Sequence, residues 1–414
     1  MRRLSSFKFQ VPGWVATTLA LAACGVAWTA VPDRPPLSPV LAEIDKTIRE
    51  GFFDPKLKGV DWDAAVSRAA GELAGAASPS EGNAVYDRLL TILQDSHTFR
   101  VPAGRLPERN WGTAGLRIGE DADGYAVKGV MPASAAARAG MKVGDRVVSV
   151  DGKKYGRERV NFRDLFFAFE GAPRTAVEVT WQSPGGSPRT DRLVREPEQA
   201  GDALVWASAR VIRRGGKAYG YARLWGMSAE TALAIVDMLL DRAEVARARP
   251  GLAGWQEIEG FLLDARGNSG GYDPNILPTF LRGQWSAADY YVISRDGKRL
   301  VPPAYKPLPS VLLVNSGTAS AGEALALKFR VHQIGLIVGE TTAGMASGGA
   351  AAQKLPDGSM LWFSSRAIES LDGKTYEGRG IAPDISVADR PSAREGEEDA
   401  IIEAGLRALA RREP

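Results

Sequence analysis

The stretch Val311-Leu312-Leu313-Val314-Asn315-Ser316-Gly317-Thr318-Ala319-Ser320-Ala321-Gly322-Glu323 decides how this chain is read. Four consecutive apolar residues predict a strand buried on both faces. Small residues then crowd a turn, and a helical pattern follows from Glu323 through Lys328. A sharp strand-to-helix turn lifts the Ser320 hydroxyl into the open and aims backbone N–H groups at a reacting oxygen. The start of the helix also favours an anion. Taken alone, the pattern equally fits a serine that caps a helix.

Upstream, Gly260-Phe261-Leu262-Leu263-Asp264-Ala265-Arg266 reads as a second apolar strand, followed by Gly267-Asn268-Ser269-Gly270-Gly271. A glycine cluster lets backbone approach a ligand closely and reach positive φ. One of its N–H groups can share a developing oxyanion with the Ser320 turn, with Asp264 and Arg266 holding the loop; a plain turn is the simpler alternative. From Leu204 onward, strand-like runs alternate with helical ones such as Ala229–Asp241 and Glu323–Arg330, which predicts an α/β layer architecture. Before that, Gly112 to about Arg195 holds short β-rich runs (Tyr125–Val130, Arg146–Val150, Ala176–Trp181) broken by Gly and Pro. Val40 to Leu93 reads mostly helical, with Ser78-Pro79-Ser80-Glu81 turning into a helix.

Composition narrows the chemistry. Of 414 residues, 44% are hydrophobic and 24% charged, the balance of a globular chain able to bury a core. A net charge of +3 with no basic, aromatic-interleaved stripe argues against a nucleic-acid partner. The basic runs 210–214 and 407–412 read as solvated faces. The single cysteine, Cys24, excludes an intrachain disulfide and a cysteine metal cluster. With only His97 and His332, a histidine zinc site is nearly excluded and no metal is expected. No cofactor is called for.

The amino terminus reads as an export signal. Arg2, Arg3 and Lys8 precede a short apolar stretch, Val11 to Ala23. It ends Leu21-Ala22-Ala23-Cys24-Gly25, which resembles a bacterial lipobox and makes Cys24 the expected lipidation site. Cleavage after Ala30, or an uncleaved anchor, are the alternatives. Four prolines between Pro32 and Pro39 mark a linker.

The middle segment resembles a PDZ domain. Gly115-Leu116-Arg117-Ile118 is similar to the carboxylate-binding loop of that domain. Pro132 to Gly140, followed by Val143-Gly144-Asp145-Arg146-Val147-Val148-Ser149-Val150-Asp151-Gly152, is similar to bacterial PDZ modules. Such a module takes an extended peptide as an added strand and holds its terminal carboxylate on backbone N–H groups. A small β-domain used only for packing is the alternative.

Four motifs occur in order: Asp264-Ala265-Arg266-Gly267-Asn268-Ser269-Gly270-Gly271, Thr318-Ala319-Ser320-Ala321-Gly322-Glu323, Gly339-Glu340-Thr341-Thr342-Ala343-Gly344, and Gly378-Arg379-Gly380-Ile381-Ala382-Pro383-Asp384. Together they resemble the C-terminal-processing and tricorn-like serine peptidase family. The resemblance implies an α/β, crotonase-like protease core with an inserted PDZ domain and a helical N-terminal segment. The corresponding divisions are 1–24 signal with lipobox, 25–39 linker, 40–110 helical segment, 111–196 PDZ, 197–395 peptidase core and 396–414 C-terminal helix. It also implies Ser320 as nucleophile, with Ala321 and Gly270 N–H groups as oxyanion hole and Ser269 or Gly271 as alternatives to Gly270.

A serine hydroxyl needs a neighbouring base. The C-terminal-processing branch places a lysine directly after the Gly-Glu-x-Thr-x-Gly motif, and that position here is Met345, whose thioether cannot take the proton. Lys354 would substitute only through an unusual loop. The tricorn-like branch instead uses a Ser-His pair and a late glutamate, which match Ser96, His97 and Glu377. The resemblance then implies His97 as base, with Ser96 bridging it to Glu377. Against this stand a structural His97 and a surface Glu377. His332 reads as structural, and Glu323 as a helix cap.

The expected activity is serine-type endopeptidase hydrolysis of polypeptides with free C-termini, in a secreted or lipoprotein form in a bacterial cell envelope, facing the periplasm. The domain order also suggests that the PDZ covers the active site until a peptide binds. A membrane contact runs through the anchor, and self-association is left open. The competing reading is a ligand- or peptide-binding protein, or a PDZ scaffold, on the same fold.

Overall fold

The computed structural model describes residues 36–104, 111–156, 167–197, 201–272, 275–284, 292–293, 299–300, 306–370, 373–389 and 399–411. The export signal, Cys24 and most of the linker lie outside them. From Leu37 onward the chain forms one unit.

At its centre is a six-stranded sheet. Its spatial order is Arg210–Arg214, Lys217–Arg223, Gly260–Asp264, Ser310–Val314, Gly335–Gly339 and Ile385–Ser386. The first pair is antiparallel and the remaining pairs are parallel. The apolar runs at 261–263 and 311–314 have no polar face because both faces are covered. Alternate residues take opposite sides. Phe261, Leu263, Leu312 and Val314 pack with helices Ala229–Leu240 and Ala321–Val331. Leu262, Val311 and Leu313 pack with the C-terminal helix Ala400–Arg411. The expected alternation of strands and helices is borne out as a three-layer α/β core.

The helical lead-in consists of Pro39–Gly51, Trp62–Ala74 and Pro79–Thr91. Ser78 caps the third helix by accepting the Glu81 N–H at 3.2 Å. These helices do not form a separate body. Their apolar faces close over Leu355, Leu361 and Phe363 of the hairpin Ala350–Lys354/Met360–Ser364, and Phe99–Val101 extends that hairpin as a third strand.

The inserted β-module has the antiparallel order Leu116–Asp121, Gly124–Val130, Arg146–Val150, Ala176–Gln182 and Arg189–Val194, with a short helix Ala135–Arg138. It rests directly on the core. A Cβ at Gly119 would lie 2.6 Å from the Ser316 carbonyl carbon, so the first strand touches the turn that leads to Ser320. Asn315 Nδ2 donates to the Lys128 carbonyl at 3.2 Å, and Lys128 Nζ pairs with Glu340 at 2.9 Å. The apolar core of this module includes Ala319 and Met345, so packing is continuous across the junction.

Candidate active site

Three consecutive parallel strands deliver three of the four sequence motifs to one end of the sheet. Gly260–Asp264 runs into the glycine loop, Ser310–Val314 into the Ser320 turn, and Gly335–Gly339 into the 340–345 loop. The carboxyl ends of parallel strands are where open α/β sheets place their sites. The fourth motif lies behind the third: Gly378 N–H donates to the Gly344 carbonyl at 2.8 Å, and Ile381 N–H donates to Thr342 Oγ1 at 2.7 Å.

Ser320 has φ 52° and ψ −121°, a conformation that costs a non-glycine residue energy and must be held by its surroundings. Glu323 does much of the holding. Its carboxylate accepts from Ser320 N–H (3.2 Å), Thr342 Oγ1 (2.5 Å), Gly344 N–H (2.8 Å) and Met345 N–H (2.8 Å). It therefore caps the helix, as expected, and also ties the helix to the neighbouring loop. Burial pushes its pKa up to about 7, against the opposing effect of those donors.

The glycine loop lies over the nucleophile. Gly270 has φ +96°, and a Cβ there would stand 2.5 Å from the Ser320 Cβ, so only glycine fits. Its N–H, however, is turned inward and donates to Asn268 Oδ1 at 2.9 Å. Gly271 forms a parallel bridge with Met227, in which Met227 bonds to Gly270 O and Tyr272 N. The Gly271 N–H consequently points away from Met227. Neither it nor the Ala321 N–H has an acceptor among the described residues. Asn268 and Asn315 stitch the loops together: Asn268 O accepts from Ala319 N–H at 2.8 Å, and Asn315 Oδ1 accepts from Gly267 and Gly317 N–H at 2.9 and 3.0 Å. Neither asparagine has a role that its neighbours in the chain reveal, since a buried amide is informative only once its partners are known.

His97 arrives from the far end of the chain. Asp95 Oδ2 accepts from Thr98 Oγ1 (2.5 Å) and Ser364 Oγ (2.8 Å), which fixes the turn between helix Pro79–Thr91 and strand Phe99–Val101. That turn sets His97 Nε2 3.1 Å from Ser320 Oγ, across 223 residues of sequence. On the other ring edge, Nδ1 is 2.9 Å from Ser96 Oγ. Ser96 Oγ donates to Glu377 Oε2 at 3.1 Å and Ser96 N–H to Glu377 Oε1 at 2.8 Å. A further hydroxyl, Ser347 Oγ, also stands 2.9 Å from His97 Nδ1.

Burial lowers the His97 pKa from 6.5 to about 4, opposed by the charge of Asp95. The imidazole is thus neutral at ordinary pH, the form a base requires. Burial likewise raises Glu377, reinforced by Asp95 and opposed by its hydrogen bonds from Ser96 and Ser347. A cavity of about 540 Å³ opens on the far side of this group, lined by Phe53, Met345, Ala346, Ile368 and Glu377 among others.

Met345 sits beside the nucleophile, its carbonyl accepting from Ser320 N–H at 3.0 Å, and its side chain is buried. Lys354 ends an exposed hairpin strand, and His332 is exposed at the end of helix Ala321–Val331. Asp264 and Arg266 pair with each other beneath the glycine loop. Among the expected PDZ-loop residues, Leu116, Arg117 and Ile118 are buried, Arg117 pairs with Glu170 at 2.9 Å, and Gly115 N–H donates to Thr113 Oγ1 at 3.0 Å. Among the described residues no cluster of three His, Cys, Asp or Glu is placed to hold a metal, and no helix is long and apolar enough to cross a membrane.

Comparison with known proteins agrees with this architecture. Residues 218–387 match the model of peptidase family S41, and residues 127–183 match that of the PDZ domain. The chain is 28% identical over 326 residues to a chloroplastic C-terminal processing peptidase of Tetradesmus obliquus, covering 72% of this chain and 66% of that protein. It is 26% identical to tricorn protease homolog 2 of Streptomyces coelicolor, covering 84% of this chain and 30% of that one. It is also 26% identical to the carboxy-terminal processing protease CtpB of Bacillus subtilis, covering 61% and 50%. The chain thus spans from about a third to two thirds of the length of these relatives. The solved structure of the photosystem II D1 C-terminal processing protease superposes with a TM-score of 0.55 at 22% identity, over 84% of this chain and 92% of that one, a likeness of fold. Residues 218–387 therefore form a domain of the serine peptidase family S41, and residues 127–183 a PDZ domain of the same chain.

Proposed function

We propose that the protein is a serine endopeptidase of the histidine-based, tricorn-like kind. The observation that carries this reading is the 3.1 Å approach of His97 Nε2 to Ser320 Oγ, backed by the Ser96–Glu377 bonds on the opposite ring edge. Ser320 Oγ attacks the scissile carbonyl carbon while His97 Nε2 takes its proton. The oxyanion lies between the N–H groups of Ala321 and Gly271; Gly271 replaces Gly270 as second donor because the Gly270 N–H is already bonded to Asn268. The imidazolium keeps its Nδ1–H on the Ser96 hydroxyl, whose own proton goes to Glu377. It then protonates the leaving amine, and water repeats the sequence on the acyl-enzyme.

Substrates in this reading are polypeptides whose free C-termini the PDZ domain engages near Gly115, Leu116, Arg117 and Ile118. Support comes from the module's contact with the Ser316–Gly317 turn, which leads to Ser320. The leader ending at Cys24 would export the chain and fix it to a membrane by lipid, with the catalytic region facing the periplasm. Mass spectrometry of the mature amino terminus, with Cys24→Ala beside it, tests that point.

Reaction of the purified protein with a fluorophosphonate probe tests the chemistry. Labelling is expected in the unmodified chain, absent in Ser320→Ala and greatly slowed in His97→Ala. No labelling of the unmodified chain, with or without C-terminal peptides, would favour the non-catalytic binder. Labelling that is indifferent to such peptides would remove the PDZ from the activation of the site.

A further inference from the structure

The hydroxyl of Ser347 has no role in the arrangement above, yet it occupies a specific position in it. It stands 2.9 Å from His97 Nδ1, the same distance as Ser96 Oγ, and 3.2 Å from Ser96 Oγ itself. Its backbone N–H donates to Glu377 Oε2 at 2.7 Å, the oxygen that also takes the Ser96 hydroxyl proton. All three hydroxyl and imidazole groups are buried.

The protons available allow one consistent assignment. For Nε2 to accept from Ser320, the neutral ring must carry its hydrogen on Nδ1. Ser96 spends its only O–H on Glu377. Ser347 then has its lone pairs for Nδ1–H and its O–H for Ser96 Oγ. The imidazole hydrogen is shared between two acceptors, and the Ser347 backbone holds the carboxylate that anchors the first of them.

We infer that Ser347 is a second positioning residue for His97, pairing with Ser96 to fix the ring's tautomer and to stabilise the imidazolium formed when Ser320 gives up its proton. This rests on His97 being the base. Two hydroxyls and a carboxylate that lies one bond further away stand in for the single carboxylate that orients the histidine of a Ser-His-Asp triad. The acid whose charge acts on His97 is Asp95, from its own turn, and Glu377 reaches the ring only through the Ser96 hydroxyl. A hydroxyl within bonding distance lets the ring charge without a third carboxylate in a buried site.

The chain's two histidines make the test direct, because His97 titrates alone by NMR in a His332→Gln background, and that readout does not need activity. Removing an acceptor from Nδ1–H disfavours the imidazolium, so Ser347→Ala should lower the His97 pKa, while Ser347→Thr, which keeps the hydroxyl, should restore it. With a peptide substrate, Ser347→Ala should lower kcat by about ten- to a hundredfold with KM little changed, and carry the acid limb of kcat to lower pH with the His97 titration. In Ser96→Ala, adding Ser347→Ala should cost further activity. An unchanged His97 titration in folded Ser347→Ala, or a loss that Ser347→Thr does not restore, would overturn the role. If the unmodified protein neither labels nor cleaves, the peptidase reading fails, and the titration still reports whether Ser347 touches the ring.

Discussion

Two buried polar clusters stand at the same end of the central sheet, and they solve burial in opposite ways. Beneath the glycine loop, Asp264 bonds to Arg266 and to the Tyr221 hydroxyl at 2.6 Å, and Arg266 reaches Asp389 and Asp399 as well. Burial alone would raise the Asp264 carboxyl, but the facing guanidinium groups of Arg266 and Arg223 outweigh it and hold it well below the usual carboxylate range. Arg266 is likewise pushed up, its carboxylate partners outweighing its burial. Charge meets charge there, and each group is held in its ionised form. Around His97 the immediate ring partners are hydroxyls, and burial wins: the imidazole is driven down to about 4 and Glu377 is raised. Groups held neutral by burial are of the kind found at reacting sites, whereas charges locked in mutual pairs serve the loop they support.

The comparison can be broken most severely at the nucleophile. Ser320→Ala should lower peptide hydrolysis by about 10⁴-fold or more with no loss of fold, read by initial rates and thermal unfolding together. Residual rates near the unmodified level would move the chemistry elsewhere. Next in size is the paired cluster. Arg266→Met leaves Asp264 buried without its hydrogen-bonded cation, with only Arg223 facing it, and should cost about 3–5 kcal/mol in urea unfolding. A variant as stable as the parent would mean that the ion pair is not what holds the glycine loop.

The relay should respond in rate more than in stability. Glu377→Gln keeps the size of the side chain and removes its charge, so kcat should drop by about ten- to a hundredfold while KM holds. A change confined to KM would place Glu377 in substrate binding instead. The smallest expected effect is in pH. With His97 driven down to about 4, the acid limb of kcat/KM should lie well below 6.5. The stability effects oppose each other. His97 has a lowered folded pKa, so the unfolded chain takes the proton first and stability declines as pH falls from 6.5 towards 4. Glu323 has a raised folded pKa of about 7, so its contribution is present below 4.5 and is lost as pH rises to 7. His97→Gln removes only the first slope, and its stability should fall as pH rises between 4.5 and 7. Equal pH profiles for parent and variant would contradict the depressed histidine.

The two clusters also differ in how far the sequence reveals them. Asp264 ends an apolar strand and Arg266 follows two residues later, so their pairing to support the loop can be read locally. The Ser320 turn is equally legible, because a buried strand, a run of small residues and a helix start are set by neighbours in the chain. His97 and Glu377 became candidates through a family resemblance and the absence of lysine at Met345. Ser347 left no signal beyond a run of small residues, Ala346-Ser347-Gly348-Gly349.

By itself, the sequence determined the strand–turn–helix around Ser320, the glycine loop, the β-rich insert and the narrow choice of base left by two histidines. These follow from local periodicity, turn chemistry and composition, which need no knowledge of the fold. Tertiary structure alone decided that Ser96 meets Glu377 across 281 residues, that Gly270 turns its N–H onto Asn268, and that Ser347 reaches the same nitrogen as Ser96. A hydrogen bond depends on direction to within tens of degrees and on distance to within a few tenths of an ångström. Those quantities are fixed only when the helical lead-in, the hairpin at 350–364 and the central sheet have packed against one another.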